Sequence, residues 1–200
     1  MLDFGCGVGR VTRALADYFE AAVGVDASQS MIDHARRLNA DCSRCEFVLN
    51  RAAHLRQFAT GRFDVIYSRL VLQHLPPGTV RRYIAELLRL LAKDGCLMLQ
   101  LPDVICRRPE DLYCAEPVTG SRLRRAVPSV FVKLYRRFKY RVVLRNSLYR
   151  MEMFGLSRDV VFELIEKGGG HLLAMRSDSS HGLPTPGYEC WITRARATPS

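Results

Sequence analysis

Three glycines near the start of the chain constrain its fold more than any other feature. Gly5, Gly7 and Gly9 follow Asp3 and lie between a short apolar run and an amphipathic stretch. Glycine permits a tight turn and lets a ligand touch backbone that a Cβ atom would shield. The first turn of a following helix offers unpaired N–H groups to such a ligand. We therefore predict a strand, a ligand-binding turn and a helix; the alternative is a glycine-rich connector that binds nothing.

Two carboxylates stand where strands are predicted to end. Asp3 can accept hydrogen bonds from the ammonium group of a cationic ligand, directly or through water. Asp26 follows the next apolar run, 19 residues after Gly7. This spacing is close to the roughly 20-residue offset of an acid that binds ribose hydroxyls in nucleotide-binding βαβ units. Asp26 could instead cap the helix that begins near Ser28, and the two roles are compatible.

Apolar runs alternate with amphipathic stretches along most of the chain, which indicates βαβ units and a parallel sheet. The last two predicted strands are joined by a turn rich in Ser, Gly and Pro, so we expect an antiparallel hairpin at one edge. Lys93-Asp94-Gly95 is predicted to close the third helix. The predicted helices are Val8–Phe19, Ser28–Leu38, Thr79–Ala92 and Arg158–Lys167, and the predicted strands are Met1–Phe4, Ala22–Val25, Glu46–Leu49, Phe63–Tyr67, Cys96–Leu101, His171–Arg176 and Tyr188–Thr193.

The sequence DFGCGVG at residues 3–9 resembles motif I of the class I S-adenosylmethionine (SAM)-dependent methyltransferases. It departs from the dinucleotide fingerprint, whose third glycine would fall at Arg10. The strand end at Asp26 resembles the ribose-binding acid of this family. Residues 63–76 resemble the fourth-strand region of the type 11-like small-molecule members, and residues 90–97 resemble their step into the fifth strand.

The resemblance implies an α/β, Rossmann-like fold. This fold is a seven-stranded, mostly parallel sheet with a terminal antiparallel hairpin and helices on both faces. Residues 1–200 are then one methyltransferase domain, with a helical insertion after the fifth strand at about residues 103–150. SAM is the implied cofactor, held at the carboxyl ends of the first strands. The implied contacts are Asp3, Gly5, Cys6, Gly7 and Gly9 to the methionine part, Asp26 to the ribose and Ala27 beside the adenosine.

Two features depart from the family pattern. Members often carry an acid after the third strand, near the adenine, whereas this chain has Leu49-Asn50-Arg51-Ala52-Ala53. In place of this acid, the Asn50 side chain or a backbone group must contact the adenine. Met1 falls inside the predicted first strand, where relatives have further residues that cover the cofactor pocket. We therefore expect the natural product to be longer at its N-terminus, and the genomic sequence upstream tests this expectation.

A general base is needed for methyl transfer only if the acceptor is a poor nucleophile. The sulfonium methyl is already activated, so the enzyme mainly aligns the acceptor and excludes water. His74 is the candidate base because it follows the fourth strand, where acceptors approach in this fold; the alternative is a packed histidine that steadies the turn at Pro76-Pro77. His181 could approach only if its loop folds back, and His34 is expected to be solvated.

The net charge of +10 is concentrated in residues 107–150, which carry +9 of it. Apolar residues between Phe131 and Val142 fall at helical spacing with basic residues between them, as in a helix that lies on an anionic membrane. A lid over an acidic or lipid-like substrate and an insertion packed on the core are the alternatives. Nucleic acid is disfavoured, because Ser68-Arg69-Leu70-Val71 replaces the D/N-P-P-Y/F loop of amino-group methylases and the chain has no Pro-Cys dipeptide.

The seven cysteines do not predict a metal site. Cys42 and Cys45 form the single CxxC, and neither a second pair nor histidines at ligand spacing follow it, so a reduced loop is expected. No signal-peptide pattern and no apolar run of about 18–20 residues is found, which favours a cytoplasmic protein, either free or in peripheral contact with a membrane. The predicted function is SAM-dependent methylation of a small-molecule or lipid-like acceptor; the alternatives are RNA methylation and a truncated nucleotide-binding protein without activity.

Overall fold

A computed structural model describes residues 1–103, 153–178 and 186–194, and these form one seven-stranded sheet. The strand order is β3-β2-β1-β4-β5-β7-β6. Strands β1 to β5 are parallel, whereas β7 is antiparallel to both β5 and β6. The predicted fold class and the terminal hairpin are thereby confirmed. The strands are β1 (Leu2–Phe4), β2 (Ala22–Asp26), β3 (Cys45–Leu49), β4 (Phe63–Ser68), β5 (Leu91–Pro102), β6 (Gly170–Asp178) and β7 (Gly187–Arg194).

Helices cover both faces of the sheet. One face packs on α1 and α2 through small, aliphatic and aromatic side chains that include Ala16, Ile32 and Phe47. The other face packs on α3 and α4 in a larger core that includes Ile66 and Ile165. The described helices are α1 (Arg10–Leu15), α2 (Gln29–Leu38), α3 (Pro77–Leu90) and α4 (Arg158–Lys167), with a short 3₁₀ turn at Leu72–His74.

The first helix is shorter than the predicted Val8–Phe19. Gly9 precedes α1 with a left-handed φ of 80°, so Val8 belongs to the glycine turn. After Leu15 the chain leaves the helix in a turn, in which the Tyr18 N–H bonds to the Leu15 carbonyl at 3.0 Å. Ala16 and Phe19, which lie beyond the end of α1, still pack in the core with Leu15, because a turn can bury the same side chains.

The prediction that Lys93-Asp94-Gly95 closes the third helix is wrong. The helix α3 ends at Leu90, and Leu91 is already extended and pairs with Phe63 of β4. Residues 93–95 therefore lie inside β5, where Asp94 has a φ of 63° beside an irregularity in the β4–β5 register. Gly95 is needed at this point, since an added Cβ would lie 2.8 Å from the Asp64 carbonyl oxygen.

Several predictions fall outside the described residues. They are the basic insertion, apart from Asp103, and the loop that carries His181. No helix within residues 1–103, 153–178 and 186–194 combines the length and the hydropathy that a membrane-spanning helix requires.

Candidate functional site

The glycine turn folds over the carboxyl end of β2. The N–H groups of Gly5 and Cys6 both donate to the Val25 carbonyl oxygen, at 2.7 and 3.0 Å. The glycines of the turn have left-handed φ values of 82°, 54° and 80°, which side chains other than glycine adopt at a cost. The turn is thus held against the end of the neighbouring strand, at the edge of the sheet where the predicted site residues meet.

The three glycines differ in what surrounds them. An added Cβ on Gly5 would lie 2.1 Å from the Val71 side chain, and one on Gly9 would lie 2.5 Å from the ring of Phe47. A Cβ on Gly7 would meet no protein atom within 4 Å. Packing therefore requires glycine at the two outer positions, whereas the backbone of Gly7 faces open space in which a ligand can approach.

The carboxylate of Asp26 joins the glycine turn to the start of α2. Its Oδ2 accepts a hydrogen bond from the Gly7 N–H at 2.9 Å, and its Oδ1 accepts one from the Ser28 N–H at 2.8 Å. Asp26 thus bonds to the residue that precedes α2, whereas the N-cap of α2 is Ser28, whose hydroxyl accepts from the Met31 N–H. An ionised carboxylate has about four lone-pair sites, so Asp26 keeps acceptor capacity for a ribose diol.

Asp3 is buried at the centre of the site. It is 3% exposed, and its Oδ2 accepts a hydrogen bond of 2.6 Å from the Thr12 hydroxyl of α1. Burial raises the pKa of the Asp3 carboxyl above its usual range, against the opposing effect of the Thr12 hydrogen bond. The sequence prediction missed Thr12, whose one available signal was a hydroxyl residue in the first turn after the glycines.

Cys6 lies inside the glycine turn and is half-buried. Its Sγ contacts the carbonyl oxygen of Gly7 at 3.6 Å. Burial, together with the nearby carboxylates of Asp3 and Asp26, raises the pKa of the Cys6 thiol to about 12. The thiol is therefore protonated at neutral pH and is a lining group of the site, with no nucleophilic thiolate to offer.

Asn50 stands where relatives often carry an acid, and its side chain is already engaged. The Asn50 amide donates to the Ala52 carbonyl at 2.9 Å and to the Tyr83 hydroxyl at 3.4 Å. Its carbonyl oxygen accepts from the Gln57 amide at 3.2 Å. Of the two options open from the sequence, this geometry favours backbone groups for any contact with adenine.

The segment after β4 packs directly on the glycine turn, because Val71 is the side chain against Gly5. Leu70 has an uncommon φ of 61°, and its N–H donates to Gln100 Oε1 of β5 at 2.9 Å. The Gln100 amide in turn donates to Asp178 Oδ2 of β6 at 2.7 Å. Strands β5 and β6 thus fix the position of residues 70–74 beside the cofactor end of the sheet.

His74 lies in the 3₁₀ turn of this segment and is half-buried. Burial lowers the pKa of its imidazole below the ordinary 6.5, so the ring is neutral at pH 7. Among the described residues, the buried side-chain atoms without a hydrogen-bond partner are Ser68 Oγ, Gln73 Oε1 and His74 Nδ1, all at or just after the end of β4. His34, in contrast, lies exposed on α2, as expected.

Comparison with known proteins gives a consistent result. A family model described as a methyltransferase domain matches residues 1–95. Over 100 residues the chain is 33% identical to 2-methyl-6-phytyl-1,4-hydroquinone methyltransferase of Synechocystis, covering 50% of this chain and 30% of that protein. Over 134 residues it is 34% identical to trans-aconitate 2-methyltransferase of Methylobacterium nodulans, covering 64% of this chain and 49% of that protein. The matches therefore span less than half the length of these two relatives.

Solved structures share the fold. The PH0226 protein of Pyrococcus horikoshii has a TM-score of 0.64 at 23% identity, covering 97% of this chain and 81% of that chain. The magnesium protoporphyrin IX methyltransferase of Synechocystis, solved with bound SAH, has a TM-score of 0.61 at 18% identity, covering 97% of this chain and 73% of that chain. The open face at Gly7 and the spare acceptor capacity of Asp26 fit SAM. Residues 1–95 thus match a methyltransferase domain, and the chain shares the fold of solved SAM-dependent methyltransferases.

Proposed function

We propose that this protein transfers a methyl group from SAM to a small-molecule or lipid-like acceptor. The observation that carries the proposal is the open approach to the Gly7 backbone beside the Asp26 carboxylate. Both lie at the carboxyl ends of β1 and β2, where the strand order 3-2-1-4-5 reverses direction. Ligands of open α/β sheets bind in the crevice at such a switch point.

Each residue of the site is proposed to contact a different part of the cofactor. Asp26 would accept the ribose hydroxyls, the open side of the Gly7 backbone would contact the methionine part, and Ala27 would lie beside the adenosine. Asp3 holds the start of α1 through Thr12, and its other carboxylate oxygen would accept a hydrogen bond from the methionine ammonium. Bound SAM supplies a methyl group that its sulfonium centre has already activated, so alignment of the acceptor and exclusion of water are the main tasks of the protein.

The segment after β4 is the proposed acceptor side of the site. A buried polar group without a partner costs about 1–3 kcal/mol, and Ser68, Gln73 and His74 each hold one such atom. A hydroxyl group of an acceptor that reached this segment would give these atoms a hydrogen-bond partner. His74 is neutral at pH 7 because burial lowers its pKa, so it can accept a proton from an acceptor that is a weak nucleophile.

The names of the relatives narrow the acceptor class. They include a phytyl hydroquinone methyltransferase, an aconitate methyltransferase and a ubiquinone biosynthesis O-methyltransferase. These names and that of a phosphoethanolamine N-methyltransferase of Arabidopsis thaliana all refer to small molecules. We therefore propose a small-molecule acceptor whose methylated atom is an oxygen or a nitrogen.

Calorimetry of the whole chain with SAM and with NAD tests the cofactor half of the proposal. We expect SAM to bind and NAD to bind more weakly, because the glycine spacing lacks the third glycine of the dinucleotide turn. Tighter binding of NAD, or binding of neither by the natural full-length product, would contradict the proposal.

Release of SAH in the presence of hydroquinones, organic acids and RNA then identifies the acceptor class, and turnover with RNA alone would favour the RNA alternative.

His74→Gln tests the assignment of the base once an acceptor is found. We expect the affinity for SAM to be unchanged and kcat to fall by about 10²- to 10⁴-fold, which is the usual contribution of a general base. His34→Gln on the exposed face of α2 is the matched control and should retain full activity. If kcat were unchanged in His74→Gln, this histidine would not be the base and would only pack at the turn that precedes α3.

A further inference from the structure

Two cysteines in the turn before β3 lie in contact with each other, outside the proposed methyltransferase site. Cys42 is in the turn and Cys45 begins the strand. The two sulfur atoms are 2.6 Å apart, and the Cys45 N–H donates to the Cys42 carbonyl oxygen at 3.1 Å. A disulfide bond measures about 2.05 Å, so the thiols are held close to bonding distance. Both cysteines are free and partly exposed.

The surroundings make the two thiols unequal. The hydrogen bond from Cys45 and the guanidinium of Arg13 lower the pKa of the Cys42 thiol, and Arg13 is itself held by Asp41 at 3.0 Å. Burial, together with the hydrogen bond to Cys42, raises the pKa of the Cys45 thiol to about 12. Cys42 is therefore the more acidic and more exposed thiol, whereas Cys45 stays protonated behind it. This is the arrangement of an attacking and a resolving cysteine.

A metal site accounts for the pair less well. Within the part of the chain that the structure describes, no group of three or more His, Cys, Asp or Glu side chains could hold a metal ion. The nearest acid, Asp41, is paired with Arg13. A structural zinc site almost always has four ligands, and Cys42 and Cys45 supply only two.

We propose that Cys42 and Cys45 form a redox-active dithiol that exchanges with low-molecular-weight disulfides. The Cys42 thiolate attacks one sulfur of the small disulfide, forms a mixed disulfide and releases one small thiolate. Cys45 then gives its proton to the first small thiolate and attacks the Cys42 sulfur, which releases the second small group as a thiolate. This thiolate takes up from solvent the proton that Cys42 lost on ionisation. Two protein thiols are oxidised to one disulfide while one small disulfide is reduced to two thiols, so no further oxidant is needed.

The test uses oxidised glutathione and the position of Arg44 between the two cysteines. Tryptic cleavage after Arg37, Arg44 and Arg51 separates peptide 38–44, which holds Cys42, from peptide 45–51, which holds Cys45. The reduced chain is treated with oxidised glutathione, its remaining thiols are alkylated, and the digest is analysed by mass spectrometry. We expect the two peptides to be joined after oxidation and separate after reduction. Recovery of only separate peptides after oxidation would overturn the proposal.

Three variants fix the order of the two steps. Cys45→Ser should retain glutathione on peptide 38–44, because the resolving thiol is missing, and Cys42→Ser should react at Cys45 several-fold more slowly. Cys96→Ser, a substitution of a half-buried cysteine of β5, is the matched control and should still join the peptides. Circular dichroism establishes that each variant is folded. Equal rates of adduct formation in Cys45→Ser and Cys42→Ser would overturn the assignment of Cys42 as the attacking thiol.

Arg13→Gln tests whether the guanidinium activates Cys42. The pH dependence of adduct formation reports this effect, and it would not change if the two sulfur atoms were merely close together. Loss of the guanidinium should raise the pKa of Cys42, so the pH dependence of adduct formation in the Cys45→Ser background should shift to higher pH. Arg10→Gln, at the exposed start of the same helix, is the control. An unshifted profile in Arg13→Gln would overturn the electrostatic part of the proposal.

Discussion

Gly5 and Gly7 have similar backbone conformations but opposite surroundings, and this contrast separates packing from ligand binding. We expect Gly7→Ala to fold with a loss of about 1–2 kcal/mol from the left-handed φ and to bind SAM poorly. Gly5→Ala carries the same strain and also forces a clash with Val71 at 2.1 Å, which adds about 1–3 kcal/mol. Urea unfolding and calorimetry measure the two effects. Equal stability of the two variants would contradict the role assigned to Val71.

Asp26 has two duties, and the isosteric variant separates them better than alanine does. Asp26→Asn keeps one acceptor oxygen, so it retains one of the two hydrogen bonds from the N–H groups of Gly7 and Ser28, and it removes the charge that favours ribose hydroxyls. A hydrogen bond to a charged group is worth about 1.5–3 kcal/mol, so SAM affinity should fall by about 10- to 100-fold. Asp33→Asn on the exposed face of α2 is the matched control. If calorimetry found the same SAM affinity for Asp26→Asn and Asp33→Asn, Asp26 would have no role in SAM binding and would only hold the start of α2.

At the scale of elements, α3 holds the connection between β3 and β4 through one ion pair. Glu86 accepts from the Leu55 N–H at 2.7 Å and pairs with Arg89 at 2.9 Å. The Arg89 guanidinium also donates to the carbonyl oxygens of Leu55 and Phe58, at 3.2 and 3.1 Å. The Arg89 hydrogen bond, ahead of the Leu55 N–H, lowers the pKa of the Glu86 carboxyl below its ordinary 4.5.

Replacing Arg89 therefore has a predictable pH signature. Arg89→Met should reduce the free energy of unfolding by about 1–3 kcal/mol at pH 7, because two carbonyls and a carboxylate lose a partner. A lowered pKa contributes stability that is present above pH 4.5 and is lost as the pH falls through the folded-state pKa. The gap between Arg89→Met and wild type should thus narrow in acid and keep the part that the two carbonyl hydrogen bonds contribute, as urea unfolding at several pH values would measure. Arg82→Met, exposed on the same helix, should change the free energy of unfolding by less than about 0.5 kcal/mol; a constant gap across pH would contradict the assignment.

The helices and strands could be predicted from the sequence where the pattern that marks them depends on neighbouring residues only. The glycine spacing, the alternation of apolar runs and the hairpin residues each depend on neighbours in sequence, and the sheet and its hairpin follow from them. The end of α3 was not predictable, because Leu91 is drawn into the sheet by Phe63 on another strand. In the proposed site, the contacts of Thr12, Val71 and Gln100 were missed for the same reason: their partners are distant in sequence, and no local pattern marks them.

At the scale of the whole molecule, the uneven charge predicts behaviour at an anionic surface. Residues 107–150 carry +9 and lie outside the described residues, so the prediction depends on charge and hydropathy alone. We propose that the protein co-sediments with vesicles that contain phosphatidylserine at low salt. The Debye length falls from about 10 Å at 0.1 M to about 3 Å at 1 M salt, so high salt should release it.

Charge reversal separates this surface from the cofactor site. Replacement of Arg136, Arg137, Lys139 and Arg141 by Glu should abolish vesicle binding without changing SAM affinity, because the proposed cofactor site is built from residues 3–27. Reversal of Arg81 and Arg82, exposed on α3, is the control and should leave binding intact. Tight binding to RNA in place of vesicles would favour the RNA alternative, and binding to neither would contradict the membrane prediction.

The position of β7 between β5 and β6 has a consequence for synthesis on the ribosome. Strand β5 is complete at Pro102, yet its second neighbour begins only at Gly187. At about 5–20 residues per second, roughly 4 to 17 seconds pass between the two events. During that interval the outer edge of β5 presents unpaired N–H and carbonyl groups to neighbouring nascent chains. A translational pause between these positions would prolong this exposure.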